Sequence, residues 1–81
     1  MRMETRVLKQ EGEIMNIEWV DGFEIRVKAD GDVVIGANRE GLLSLAKQLN
    51  ALAEQPQGSH IHYDEYNSLE EGSAELVIEK I

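Results

Sequence analysis

Cysteine is absent from this chain of 81 residues, which excludes a disulfide framework and any thiolate-ligated metal centre. That absence agrees with a reducing compartment. Long apolar runs are missing as well. No stretch approaches the roughly 20 apolar residues that a membrane span requires. The opening Met1-Arg2-Met3-Glu4-Thr5-Arg6 leads into no apolar segment of the kind a secretory leader carries. A soluble cytoplasmic protein is the expectation.

Basic residues are also scarce. Sixteen acids face eight bases, for a formal charge of −8. Such a balance repels the phosphates of nucleic acid and the headgroups of an anionic membrane, so neither is an expected partner. It favours solubility and attracts a basic protein. The length allows one domain, residues 1–81, whose thin core buries roughly 60% of the unfolded surface.

The clearest element lies in the middle of the chain. Leu42, Leu45, Ala46, Leu49, Leu52 and Ala53 recur at spacings of three and four, the apolar stripe of an amphipathic helix. Asn38 is suited to cap its N-terminus, and Glu40 suits the positive end of the helix dipole. The single proline, Pro56, and Gly58 behind it stop the helix. On this reading Leu42, Leu45, Leu49 and Leu52 face the core.

Strand patterns flank the helix. Met3, Thr5 and Val7 alternate with Glu4 and Arg6, followed by a turn signal at Glu11-Gly12. Met15, Ile17 and Trp19 alternate with Asn16 and Glu18. Asp21-Gly22 then reads as a tight hairpin turn. Phe23, Ile25 and Val27 alternate with Glu24, Arg26 and Lys28 in the cleanest half-buried strand. Asp30-Gly31-Asp32 turns into Val33-Val34-Ile35. After the helix, Ile61 and Tyr63 alternate with His60, His62 and Asp64, and residues 74–81 form a last strand. The expected fold is α+β and two-layered: a β-meander, one helix and two C-terminal strands, with the helix across a mostly antiparallel sheet of five or six strands. Glu18, Glu24, Arg26, Lys28, His60 and His62 would occupy the outer sheet face.

Three constellations carry candidate chemistry. His60, His62 and Asp64 alternate on one strand, so two imidazoles and a carboxylate could share a face and hold a divalent metal, with Glu65 or Glu75 as a fourth donor. The ordinary alternative is the polar outer face of a strand, since His-x-His by itself is a weak motif. Nucleophilic catalysis would fall to Ser44, Ser59, Ser68 or Ser73, none of which sits in a nucleophile elbow. Gly36 and Gly41 flank the helix entry but match no phosphate-loop pattern, and Glu40 would repel a phosphate there. The third constellation is the acidic stretch after the helix. Asp64, Glu65, Glu70, Glu71, Glu75 and Glu79 are interleaved with Tyr63, Tyr66 and Leu69, and Lys80 is the sole fixed base beside them. Carboxylates that steer a cationic partner, together with aromatic anchors, make the composition of a binding surface. Its plain counterpart is a solvated acidic surface over a core tyrosine.

Two blocks, Asn38-Arg39-Glu40-Gly41-Leu42-Leu43-Ser44-Leu45-Ala46 and Gly58-Ser59-His60-Ile61-His62-Tyr63-Asp64 through Asn67, Leu69, Glu70, Glu71 and Gly72-Ser73, resemble the immunity protein 32 family of bacterial polymorphic-toxin systems. The likeness covers about the second half of the chain and the preceding hairpin. It implies a small cytoplasmic α+β protein, encoded beside a toxin, that binds and inactivates that toxin without catalysis and without a cofactor. The acidic balance agrees with a basic, nuclease-like toxin. Asp64, Glu65, Tyr66, Glu70 and Glu71, with His60 and His62 beside them, are the expected partner-binding residues.

Two alternatives stand beside this reading. One is a metal-binding domain built on His60, His62 and Asp64. The other is a structural module forming a homodimer or larger oligomer, suggested by the last strand, where Leu76 and Ile78 oppose Val77 and Ile81. A strand apolar on both faces is either central in its sheet or covered by a partner.

Overall fold

The computed structural model of the chain describes residues 3–10 and 13–81. The expected turn at Glu11-Gly12 lies outside the described residues, as do the side chains of Met3, Thr5, Val7 and Met15. The class is α+β, with one helix and antiparallel strands. In chain order the elements are β1 (Met3–Gln10), β2 (Glu13–Val20), β3 (Ile25–Asp30), β4 (Asp32–Ala37), α1 (Arg39–Ala53), β5 (His60–Tyr63) and β6 (Leu76–Glu79).

The strands pair as separate two-stranded ladders, β1–β2, β3–β4 and β5–β6, rather than as one continuous meander. The break falls at the Asp21-Gly22 turn. Gly22 takes the positive φ of 88° that the turn signal predicts, but no β2–β3 ladder follows from it. The Phe23 amide bonds the Val20 carbonyl at 3.1 Å, and the Phe23 ring stacks on Trp19 with centroids 4.4 Å apart. Asn38 occupies the next backbone groups. Its Oδ1 accepts from the Glu24 amide at 2.9 Å, its Nδ2 donates to the Gly22 carbonyl at 2.9 Å, and its own amide donates to the Glu24 carbonyl at 3.1 Å. These groups lie on the β4 side and seat the helix, while the edge of β3 that a ladder with β2 would use is taken by residues 70–74.

The helix begins where its cap chemistry dictates: Oδ1 of Asn38 also accepts from the Gly41 amide at 2.8 Å. Its buried face differs from the expected stripe. Gly41, Ser44, Leu45, Gln48 and Leu52 point inward, whereas Leu42 is 56% and Leu49 44% exposed, and Ala46 and Ala53 face solvent. The stripe has moved by one residue, a rotation of about 100°. Two causes are visible. Gly41 lies so close to the Glu24 carbonyl and the side chains of Ala37 and Ile25 that only a residue without Cβ fits. Farther along, Ser44 and Gln48 satisfy strand backbone groups that an apolar face would have stranded. Oγ of Ser44 accepts from the Val20 amide and donates to the Glu40 carbonyl, each at 2.8 Å. Nε2 of Gln48 donates to the Glu18 carbonyl at 2.9 Å.

The core is formed by Ile17, Trp19, Ile25, Val27, Leu45, Leu52, Ile61, Tyr63 and Leu69. The inward members of β2, β3 and β5 are those the alternation predicts, and Glu18, Arg26, Lys28 and His62 are exposed as expected. Of the two placements expected for β6, central in its sheet or covered by a partner, the structure of the single chain rules out the first. β6 pairs only with β5 among the described residues; Leu76 and Ile78 pack against the core while Val77 and Ile81 remain exposed.

Candidate functional site

The acidic stretch between β5 and β6 folds into a compact loop, and its first residue explains why. Asp64 carries one of the short side chains that bond their own backbone two residues on. Its Oδ1 accepts from the Tyr66 amide at 2.9 Å and from the Asn67 amide at 3.0 Å. Its carbonyl accepts from the amides of Ser68 at 3.1 Å and Leu69 at 2.8 Å. Asn67 closes the turn from the far side: Nδ2 donates to the His62 carbonyl at 3.1 Å, and Oδ1 accepts from the Asp64 amide at 3.2 Å and from the Ser68 hydroxyl.

The second half of the loop is tied back as firmly. Oε2 of Glu65 accepts from the Gly72 amide at 2.7 Å, at a glycine whose φ of 87° suits no other residue well. Residues 70–74 then run along the edge of β3 that β4 leaves open. The Glu70 amide bonds the Ile25 carbonyl at 2.8 Å, the Ala74 amide bonds the Val27 carbonyl at 2.9 Å, and Oγ of Ser73 accepts from the Val27 amide at 3.2 Å. Nη1 of Arg26 reaches the Glu71 carbonyl at 3.3 Å.

These bonds sort the candidate residues. Tyr66 is 95% exposed, an aromatic side chain held out to solvent on a turn whose backbone is bonded on both sides. On the same loop Glu65 and Glu71 are exposed and Glu70 is half-buried. Asp64 belongs to the turn and its carboxylate is already engaged. Tyr63 and Leu69, interleaved with the acids in sequence, are core residues. The Tyr63 hydroxyl donates to Oε1 of Gln48 at 2.7 Å, and burial pushes its pKa well above the ordinary tyrosine value.

His60 and His62 share the outer face of β5, with ring centroids 4.8 Å apart at an interplanar angle of 64°. Nδ1 of His60 lies 3.1 Å from the Gly58 carbonyl, so the tautomer protonated there donates to it. Across the ladder their partners are Glu79 and Val77. Asp64 does not complete a donor set with them, because its carboxylate turns back to the loop amides. Among the described residues no group of three His, Asp or Glu side chains is placed to hold a metal ion. The metal-binding alternative therefore loses its third ligand.

The serines weighed as nucleophiles are structural. Ser44, Ser59 and Ser68 are buried, and Ser73 holds β3. Gly41 belongs to helix packing rather than to an anion cradle. What the sequence reading missed is the buried polar pair Gln48–Tyr63. Its only trace was two polar residues, Ser44 and Gln48, four apart between Leu42 and Leu52. Among the described residues no helix is long and apolar enough to cross a membrane.

A family model described as immunity protein 32 matches residues 32–81, from β4 through the helix and the acidic loop to the last residue. No curated protein and no solved structure matches the chain.

Proposed function

The chain belongs to the immunity protein 32 family, and from that membership we propose that it is a non-enzymatic cytoplasmic protein that occupies and neutralises a cognate toxin through the loop carrying Tyr66. The exposure of Tyr66 on a fixed turn is the observation that carries the choice of surface. Burying a rigid aromatic costs little side-chain entropy and removes a large apolar area from water, which is why tyrosine recurs among the residues that dominate binding energy. Glu65, Glu70 and Glu71 of the same loop supply the long-range attraction. In a chain of formal charge −8 they favour a basic toxin, of which a nuclease is the natural example, since an enzyme that binds phosphates presents cations. His60 and His62, on the strand that leads into this loop, are included in the proposed contact.

Co-expression with the product of the adjacent toxin gene tests the reading. Protection of the cells and recovery of a stable complex support it, and toxicity unrelieved by the chain would sink it. Within a recovered complex, Tyr66→Ala locates the contact. A complex as tight with the variant as with the parent would move the interface elsewhere.

A further inference from the structure

Independently of the toxin surface, we propose that two copies of this chain pair through the open edge of β4, antiparallel and centred on Val34, to form a four-stranded sheet. The starting observation is exposure. Val33, Val34 and Ile35 are 65%, 53% and 41% exposed in succession, so the strand is uncovered on both faces. No strand among the described residues pairs with its second edge. The sequence Asp32-Val33-Val34-Ile35-Gly36-Ala37 has no proline and no lysine along that edge, the usual means by which proteins discourage strand addition. β6, whose outer edge is also unpaired among the described residues, runs between Glu75 and the charged pair Glu79 and Lys80 and is guarded in that way.

Backbone parity selects the register. Ile25 and Val27 direct their backbone groups away from β4, toward residues 70–74, so the bonded pairs within the hairpin are Arg26 with Gly36 and Lys28 with Val34. On β4 it is then Val33 and Ile35 whose N–H and C=O point outward. Pairing about Val34 sets Val33 opposite the partner's Ile35, where the two residues exchange both hydrogen bonds, and the symmetry mates do the same. Val34 meets the partner's Val34 as a non-bonded pair with closely spaced side chains.

Charge points to a second copy as the occupant. Asp30 and Asp32 lie directly opposite each other across the hairpin, an unfavourable juxtaposition of like charges. Arg26 and Lys28 border a depression of about 280 Å³ over Gly36 and Val34, and neither base has an ion pair among the described residues. In the proposed register the row across the sheet reads Arg26, Gly36, the partner's Asp32, the partner's Asp30. Arg26 and the partner's Asp32 stand about 10 Å apart between Cα atoms, two strand spacings, with only a glycine between them. On pairing, the arginine turns from the Glu71 carbonyl it reaches in the single chain across that gap toward the two carboxylates, twice per dimer.

The full chain in sedimentation equilibrium should show a concentration-dependent monomer–dimer balance, and Val34→Lys should abolish the dimer with an unchanged circular dichroism spectrum. Because the chain lacks cysteine, Val34→Cys gives a single thiol on the two-fold axis. The Cα spacing of a non-bonded antiparallel pair is about 4.5 Å, within disulfide range, so mild oxidant should link this variant into dimers faster than Val77→Cys, an exposed control. Arg26→Glu and Asp32→Lys should each weaken the dimer by up to about tenfold, and the double variant should recover it. A strict monomer at millimolar concentration overturns the proposal, as does cross-linking of Val34→Cys no faster than the control. A chain that stays monomeric while Val34→Lys abolishes toxin capture would assign β4 to the toxin and overturn it equally.

Discussion

The Tyr63 hydroxyl and Oε1 of Gln48 meet at 2.7 Å where neither residue exposes more than 1% of its surface. This bond joins β5 to the buried face of the helix, and the other end of the same amide holds the Glu18 carbonyl of β2. One glutamine therefore locks the helix to two strands. Tyr63→Phe leaves Oε1 buried without its donor and should cost about 1–3 kcal/mol in urea unfolding. A double-mutant cycle with Gln48→Met should show non-additivity, because the two residues share one bond.

The same residue makes stability depend on alkaline pH. Burial raises the Tyr63 pKa above the ordinary value of 10.0, so the folded state favours the neutral phenol. The sign follows from linkage: this contribution is complete below the unfolded pKa and is lost as pH rises above about 10 toward the folded value. The parent protein should lose stability above pH 10 more steeply than Tyr63→Phe, measured as urea midpoints across the range. Equal slopes would contradict burial of the phenol.

Gly41→Ala separates helix propensity from packing. An exposed helical glycine would gain up to about 1 kcal/mol from the change. Here a Cβ would overlap the Glu24 carbonyl oxygen, and the main chain cannot yield without disturbing the Asn38 cap. The substitution should destabilise by about 1–3 kcal/mol, the usual range for overpacking, and a stabilised variant would show that the approach is looser.

Asn38 acts through both ends of its amide. Asn38→Ala should lose about 2 kcal/mol, the upper range for an N-cap, because the bonds to Glu24 and Gly22 go as well. Asn38→Asp keeps the acceptor, gains from the helix dipole and loses only the donor to Gly22, so it should fall between the two. Thermal unfolding of the three proteins orders them.

Tyr66 and Leu69, three residues apart, should behave as opposites. Tyr66→Ala should leave stability within about 0.5 kcal/mol of the parent while weakening the toxin complex by at least about thirtyfold, as for a binding residue worth 2 kcal/mol. Leu69→Ala should cost about 2–5 kcal/mol of stability, since Leu69 is only 5% exposed. Calorimetric binding and urea unfolding of the two variants separate the roles.

Much of this protein is determined by local sequence. The alternation through Ile17 and Trp19, Ile25 and Val27, and Ile61 and Tyr63 places the inward side chains, because a strand has only two faces. Asn38 starts the helix and Pro56 follows its end, because a cap and a missing N–H act on their immediate neighbours. The resemblance to the immunity protein 32 family also lies in contiguous residues, within the stretch the family model matches. Other features were decided by contacts distant along the chain. The helix turned by one residue, exposing Leu42 and Leu49, because Gly41 met a carbonyl of the preceding loop and because Ser44 and Gln48 had strand backbone groups to satisfy. The expected meander divided because residues 70–74, far along the chain, took the edge of β3 that a ladder with β2 would have used. Composition placed Tyr63, Tyr66 and Leu69 together among the acids, but the turn built by Asp64 sent two inward and one out. Hydrophobic periodicity records which residues are apolar; which polar groups must be answered inside depends on what the fold brings opposite them.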